Sequence, residues 1–163
     1  MKGDAFIDAS VFMGMHSSAE ATRKACKGFF VQWLFNSVVM SLEHVGRCDE
    51  LVWRFTRTIQ DAYYPFMDSL HTSMRIERRS YEEADLRMTL GSPLLKGLPM
   101  YERLLLGMVL NAKGTLYSVS PRLCHRQDLP VRVPSVAVEL FFPERLEGLY
   151  QKSLMLRVVP GTL

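Results

Sequence analysis

The sequence predicts an α/β fold: a mostly parallel central sheet with helices on both sides, in three layers. Three observations lead there. Short apolar pulses, AFI at residues 5–7, SVVM at 37–40 and TLYSV at 115–119, read as buried strands. Between them run segments with helical spacing of apolar residues, and strands separated by helices imply crossovers and parallel pairing. With 48 % hydrophobic and 23 % charged residues in 163, the chain has the apolar content for a packed core and the length of one domain. That domain spans 1–163, with its core over 5–142 and a C-terminal extension over 143–163.

Taken in order, Ala5–Ile7 is a strand that ends in an acid, Asp8. Ser17 followed by Glu20 has the spacing of a capping box. The helix it opens runs from Ala19 to Leu34, with Cys26, Phe29, Phe30, Trp33 and Leu34 on one face. The second strand, Ser37–Met40, passes into a helix from Ser41 with Leu42, Val45, Val52 and Phe55 inward, weakened by Gly46. Pro65 closes this region. Phe66, Leu70 and Met74 mark a further helix, and the mixed charges of RIERRS at 75–80 read as a solvated face. A short helix precedes a loop at Gly91–Pro93. The next helix starts near Pro99, aligns Tyr101, Leu104, Leu105, Met108, Val109 and Ala112, and stops at Gly114. TLYSV is then a strand closed by Pro121. SVAVELFF at 135–142 alternates and reads as the last strand. The tail begins as a helix at Glu144 and ends in an apolar LMLRVV, an edge strand or a docking segment.

The formal net charge of +3 permits contact with nucleic acid without arguing for it. Cys26, Cys48 and Cys124 are an odd count without metal-ligand spacing, so they read as reduced thiols of a cytoplasmic protein. No long apolar run follows Lys2 and no stretch reaches the length of a membrane span, so neither a signal peptide nor a membrane contact is expected.

Three acids fall where strands finish or helices begin: Asp8 after the first strand, Glu43 after the second, and Glu102 at the start of the helix before TLYSV. In a parallel sheet the carboxyl ends of the strands are where ligands bind. Carboxylates brought together there repel unless a cation lies between them. Mg²⁺ or Mn²⁺, held by Asp8, Glu43 and Glu102, would supply that charge and activate a water for attack on a phosphodiester. Each acid also has a plainer reading, as an N-cap or turn residue for Asp8 and as a first-turn helix acid for Glu43 and Glu102. His16 and His44 read as a loop histidine and a helix position turned away from Glu43. Cys124 and His125 lack the further ligands of a zinc site. Arg75, Arg78 and Arg79, near Tyr81, offer an RNA-backbone contact, diluted by Glu77, Glu82 and Glu83.

FIDASVFM, at 6–13, resembles the opening strand of the PIN domain, with its acid in a hydrophobic–Asp–small run. VVMSLEHV resembles that family's second block, a strand followed by a helix with an embedded Glu. LPMYERLLLGMVLNAKGTLYSVSPRL resembles its third, in which an acid opens a helix and a strand follows. The resemblance implies a Mg²⁺- or Mn²⁺-dependent ribonuclease of toxin-like type, with Asp8, Glu43 and Glu102 as metal ligands, an antitoxin-like protein partner and a homodimer. Ser10 and Ser118 are auxiliary positions, Ser118 standing where the family has Thr. Ser120 stands where it often has Asp, a neutral and poor ligand. That departure opens two other functions: a degenerate PIN-like protein that binds or scaffolds without cutting, and a metal-dependent enzyme acting on a small metabolite.

Overall fold

The computed structural model describes residues 3–163; Lys2 lies outside them. Five parallel strands, β1 (Ala5–Ile7), β2 (Ser37–Ser41), β3 (Arg75–Arg79), β4 (Thr115–Tyr117) and β5 (Val131–Arg132), form one sheet in the order β3-β2-β1-β4-β5. The α-helices are α1 (Ala9–Gly14), α2 (Glu20–Trp33), α3 (Leu42–Trp53), α4 (Arg57–Ser73), α5 (Glu83–Gly91), α6 (Met100–Asn111) and α7 (Glu144–Ser153). The expected three-layer α/β architecture is therefore present.

Strand alternation sends successive side chains to opposite faces, and both faces are apolar. Phe6, Val39 and Leu116 point to one side, where they pack with Leu105, Leu106 and Val109 of α6. Ile7, Val38 and Met40 point to the other, into the larger core built from α1, α2, α3, α4 and α7. The register places Phe6 beside both Val39 and Leu116, so one row crosses the three central strands.

On the first side α5 and α6 approach closely at Gly107. A methyl group there would lie 1.9 Å from the Thr89 hydroxyl and 2.8 Å from the Asp85 carbonyl oxygen. Thr89 cannot retreat easily, because its hydroxyl already donates to that same carbonyl at 2.9 Å. Gly107→Ala is expected to cost about 1–3 kcal/mol through overpacking, read as a lower urea midpoint with an unchanged slope.

Several elements differ from the sequence reading, each for a physical reason. Pro65 lies inside α4 and does not end it. A proline there costs about 3 kcal/mol of helix propensity, but Tyr63, Phe66, Met67 and Leu70 bury one face of the helix and hold it through the break. RIERRS, expected only as a solvated face, contributes a strand: Arg75–Arg79 pair in register with Ser37–Ser41 at the sheet edge, with Ile76 packing inward. SVAVELFF forms no strand, and Val131–Arg132 takes the sheet margin instead. Its segment is fixed by side chains: Glu139 pairs with Arg23 at 2.8 Å, Phe142 packs on Phe66 and Tyr150, and Val136 seats on Gly28.

Asp8 opens a short helix, Ala9–Gly14, that the small residues after it did not announce. The Ser17–Glu20 capping box is absent; the Ser17 hydroxyl accepts from the Ala19 N–H at 3.1 Å, and Glu20 binds Arg23. Leu42, expected inward, is 51 % exposed. LMLRVV forms no edge strand; it docks on the body of the fold, with Leu156 and Val158 buried in the larger core and the Val158 N–H donating to the His16 carbonyl at 2.8 Å. Among the described residues no helix is long and apolar enough to cross a membrane.

Candidate functional site

In this strand order β1 and β4 are neighbours although their crossovers leave to opposite sides, and the crevice beyond their carboxyl ends is where doubly wound sheets bind ligands. A cavity of about 220 Å³ opens there. Its floor is Asp8, the residue after β1, 3 % exposed. The position follows from local chain geometry: Asp8 is the N-cap of α1, and its Oδ1 accepts from the Val11 N–H at 3.0 Å. The Ser10 hydroxyl also donates to Oδ1, at 2.6 Å, and the Ser118 hydroxyl donates to Oδ2. Ser10 in turn accepts from the Val119 N–H and Ser118 from the Ser120 N–H. Asp8 thus ties the end of β1 to the end of β4 through two hydroxyls.

Glu102, in the first turn of α6, lines the same cavity and is 3 % exposed. The Ser120 hydroxyl donates to its Oε2 at 3.0 Å, and the Arg122 Nε donates to its Oε1. Arg122 also donates to the Tyr101 hydroxyl at 2.6 Å. The carboxylate beside it holds the Arg122 guanidinium above its ordinary pKa.

Glu43 does not join them. It is exposed outside the cavity, where the Tyr81 hydroxyl donates to its Oε1 at 2.9 Å. The next residue, His44, takes the inward place, because neighbours on a helix are turned about 100° apart. Ser41 caps α3 and accepts from the His44 N–H at 3.2 Å. The His44 ring is buried: Nδ1 accepts from the Ala9 N–H at 3.0 Å, so the ring proton sits on Nε2 and points to the Tyr101 carbonyl, 3.2 Å away. His44 therefore clamps α1 and α6 to α3 as a neutral ring.

Two groups at the cavity were not legible as site residues. Arg47, one turn after Glu43, lies with its guanidinium carbon 3.7 Å from the centre of the Tyr101 ring, a close cation–π contact. Arg122 lies 5.9 Å from the same centre. The signal for Arg47 was its spacing of three from His44, usable only once His44 is known to face inward.

Arg75, Arg78 and Arg79 all lie on the edge strand β3, away from this cavity. Arg79 is committed to Glu77 and Asp4, at 2.8 and 3.1 Å. The cysteines are unpaired, and burial pushes the Cys26 and Cys48 thiols up.

The whole sequence, residues 1–163, matches the profile of a family of unknown function, DUF6190. The chain belongs to that family. A search of curated proteins finds no match. Among solved structures, the crystal structure of PAE2754 from Pyrobaculum aerophilum superposes with a TM-score of 0.54 at 12 % identity, covering 94 % of this chain and 91 % of that one. At that identity the likeness is one of fold.

A divalent ion held by Asp8, Glu43 and Glu102 does not fit this DUF6190 member's donor set. Among the described residues no three His, Cys, Asp or Glu side chains group to hold a metal. Glu43 is outside, and the four carboxylate oxygens of Asp8 and Glu102 already accept from Ser10, Val11, Ser118, Ser120 and Arg122.

Proposed function

We propose that this protein is a PIN-like domain that binds a ligand at its strand ends without cutting it. The observation that carries this reading is the closure of Glu102 by Arg122 and Ser120. A carboxylate that must hold a catalytic ion faces that ion with its negative charge uncompensated, and this one is already paired with a guanidinium and accepts from a hydroxyl. Asp8 is engaged as a cap and a strand tie. The cavity, about 220 Å³ and lined by Met13, Val119 and Val158 beside its polar floor, suits a small molecule better than a polymer strand. The free thiols support a cytoplasmic setting.

A second reading, the Mg²⁺- or Mn²⁺-dependent ribonuclease with RNA as substrate and an antitoxin-like partner, is favoured by one fact: Asp8 and Glu102 line a single cavity at the sheet's switch point. It requires Arg122 to swing away from Glu102. One assay separates the two. Purified protein with RNA and Mn²⁺ is expected to cleave no faster than the Asp8→Asn variant. Metal-dependent cleavage that Asp8→Asn abolishes would move the conclusion to the nuclease.

A further inference from the structure

We propose that the ligand of this cavity is a small molecule carrying a carboxylate or a phosphate, and that Arg47 is the residue that holds the anionic group. The inference rests on the binding reading above and adds the ligand's chemistry. Four charged side chains line the cavity: Asp8, Glu102, Arg47 and Arg122. Three of them are satisfied. Asp8 accepts from three donors, and Glu102 and Arg122 pair with each other.

Arg47 is the exception. Among the described residues it makes no ion pair and no hydrogen bond, and its Nε is buried with no partner at all. The rest of the guanidinium makes no hydrogen bond either, and Arg47 is only half-buried where it lines the cavity, so its terminal N–H groups are free to meet an incoming acceptor. Its planar fork matches carboxylate and phosphate oxygens, in one or two contacts. The Tyr101 ring holds that fork in place from one side at 3.7 Å, while Arg122 stands 5.9 Å from the same ring and is 44 % exposed at the mouth. An anion on the Tyr101 side of the cavity therefore meets one unpartnered guanidinium and the open flank of a second. Asp8 is tied up by three donors from its own chain. The apolar walls, Met13, Val119, Val158 and Pro160, set the rest of the ligand as a short apolar body.

The test is calorimetry in EDTA at low salt with three probes: inorganic phosphate, phenyl phosphate and benzoate. At least one of the two aromatic probes is expected to bind, more tightly than inorganic phosphate, and which one binds identifies the anionic group. Arg47→Met is expected to weaken that binding about tenfold or more, Arg47→Lys to restore part of it, and Arg54→Gln, an exposed residue paired with Glu50, to leave it unchanged. A thermal melt of Arg47→Met that overlays the parent excludes loss of fold as the cause. The proposal is overturned if the parent binds none of the probes, if Arg47→Met binds them equally well, or if binding appears only on adding Mn²⁺. Absence of anion binding together with absence of RNA cleavage would overturn this inference and leave the binding reading standing. Mn²⁺-dependent cleavage would remove both.

Discussion

Acidifying the protein from pH 6.5 to 5 is expected to lower its stability by about 2 kcal/mol through one side chain, His16. The ring is fully buried, with Tyr63, Phe66 and Tyr150 around it at centroid distances of 5.1, 5.8 and 5.6 Å. The Ser153 hydroxyl gives its hydrogen to the Tyr150 carbonyl, so the His16 Nε2–H must donate to Ser153 Oγ at 2.8 Å. Nδ1 has no partner among the described residues. A proton added there would create a buried charge with nothing to receive it. Burial first, then the nearby positive charges of Arg157 and Arg23, lowers the pKa from 6.5 to about 3.

The folded pKa is therefore depressed below that of the unfolded chain. Between those values the unfolded chain takes up a proton that the folded one refuses. The stabilisation is complete above pH 6.5, and is lost as pH falls toward 3 at about 1.4 kcal/mol per unit, on the order of 5 kcal/mol over the window. Urea titrations across pH 7.5 to 5 decide it. His16→Gln keeps a donor for Ser153 and does not titrate, so its stability is expected to change much less between pH 6.5 and 5. Equal slopes for parent and variant would refute the assignment.

Removing the carboxylate of Glu147 is expected to cost about 3–5 kcal/mol, read as the loss for Glu147→Ala. The Lys27 ammonium is 0 % exposed, 3.0 Å from Glu147 and 3.5 Å from Glu139. It lies over the rings of Phe141 and Tyr150 at 4.6 and 4.8 Å. Glu147 also accepts from the Phe142 N–H at 3.0 Å, which fixes the entry of α7. Its loss leaves a buried cation with one half-buried partner and a free backbone donor. The converse experiment separates charge from packing: Lys27→Met with Glu147→Leu removes both ions together and is expected to recover most of the loss. A Glu147→Ala cost below 1 kcal/mol in urea unfolding would show that water reaches Lys27 and that the pair is not buried in effect.

The layered fold was legible because it depends on pattern. AFI, SVVM and TLY had the composition of buried strands, and the spacing in α2 and α6 was strong enough to place both within a few residues. The misread segments were those whose state is set by tertiary partners. RIERR has no apolar alternation of its own, and becomes a strand only because β2 offers a free margin. SVAVELFF alternates well, yet Lys27, Arg23 and Gly28 engage its side chains and it joins no ladder.

At the site, Asp8 and Glu102 were found from chain position alone, since a strand end and a helix start place them on one rim. Glu43 lies one residue from the inward-facing place, which His44 takes. Which of the two faces inward depends on where Ser41 caps the helix. Arg47 was invisible because its meaning lies in what it lacks, and a missing partner cannot be read from a string of letters.

The margins of the sheet have a consequence for association. On one side Arg75, Glu77, Arg78 and Arg79 crowd five residues of strand with charge. On the other, Val131–Arg132 is flanked by Pro130 and Pro134, which have no N–H to offer a new neighbour. Another chain approaching either border meets electrostatic repulsion or a gap in the ladder. Stacking of copies into a continuous ribbon is thereby discouraged.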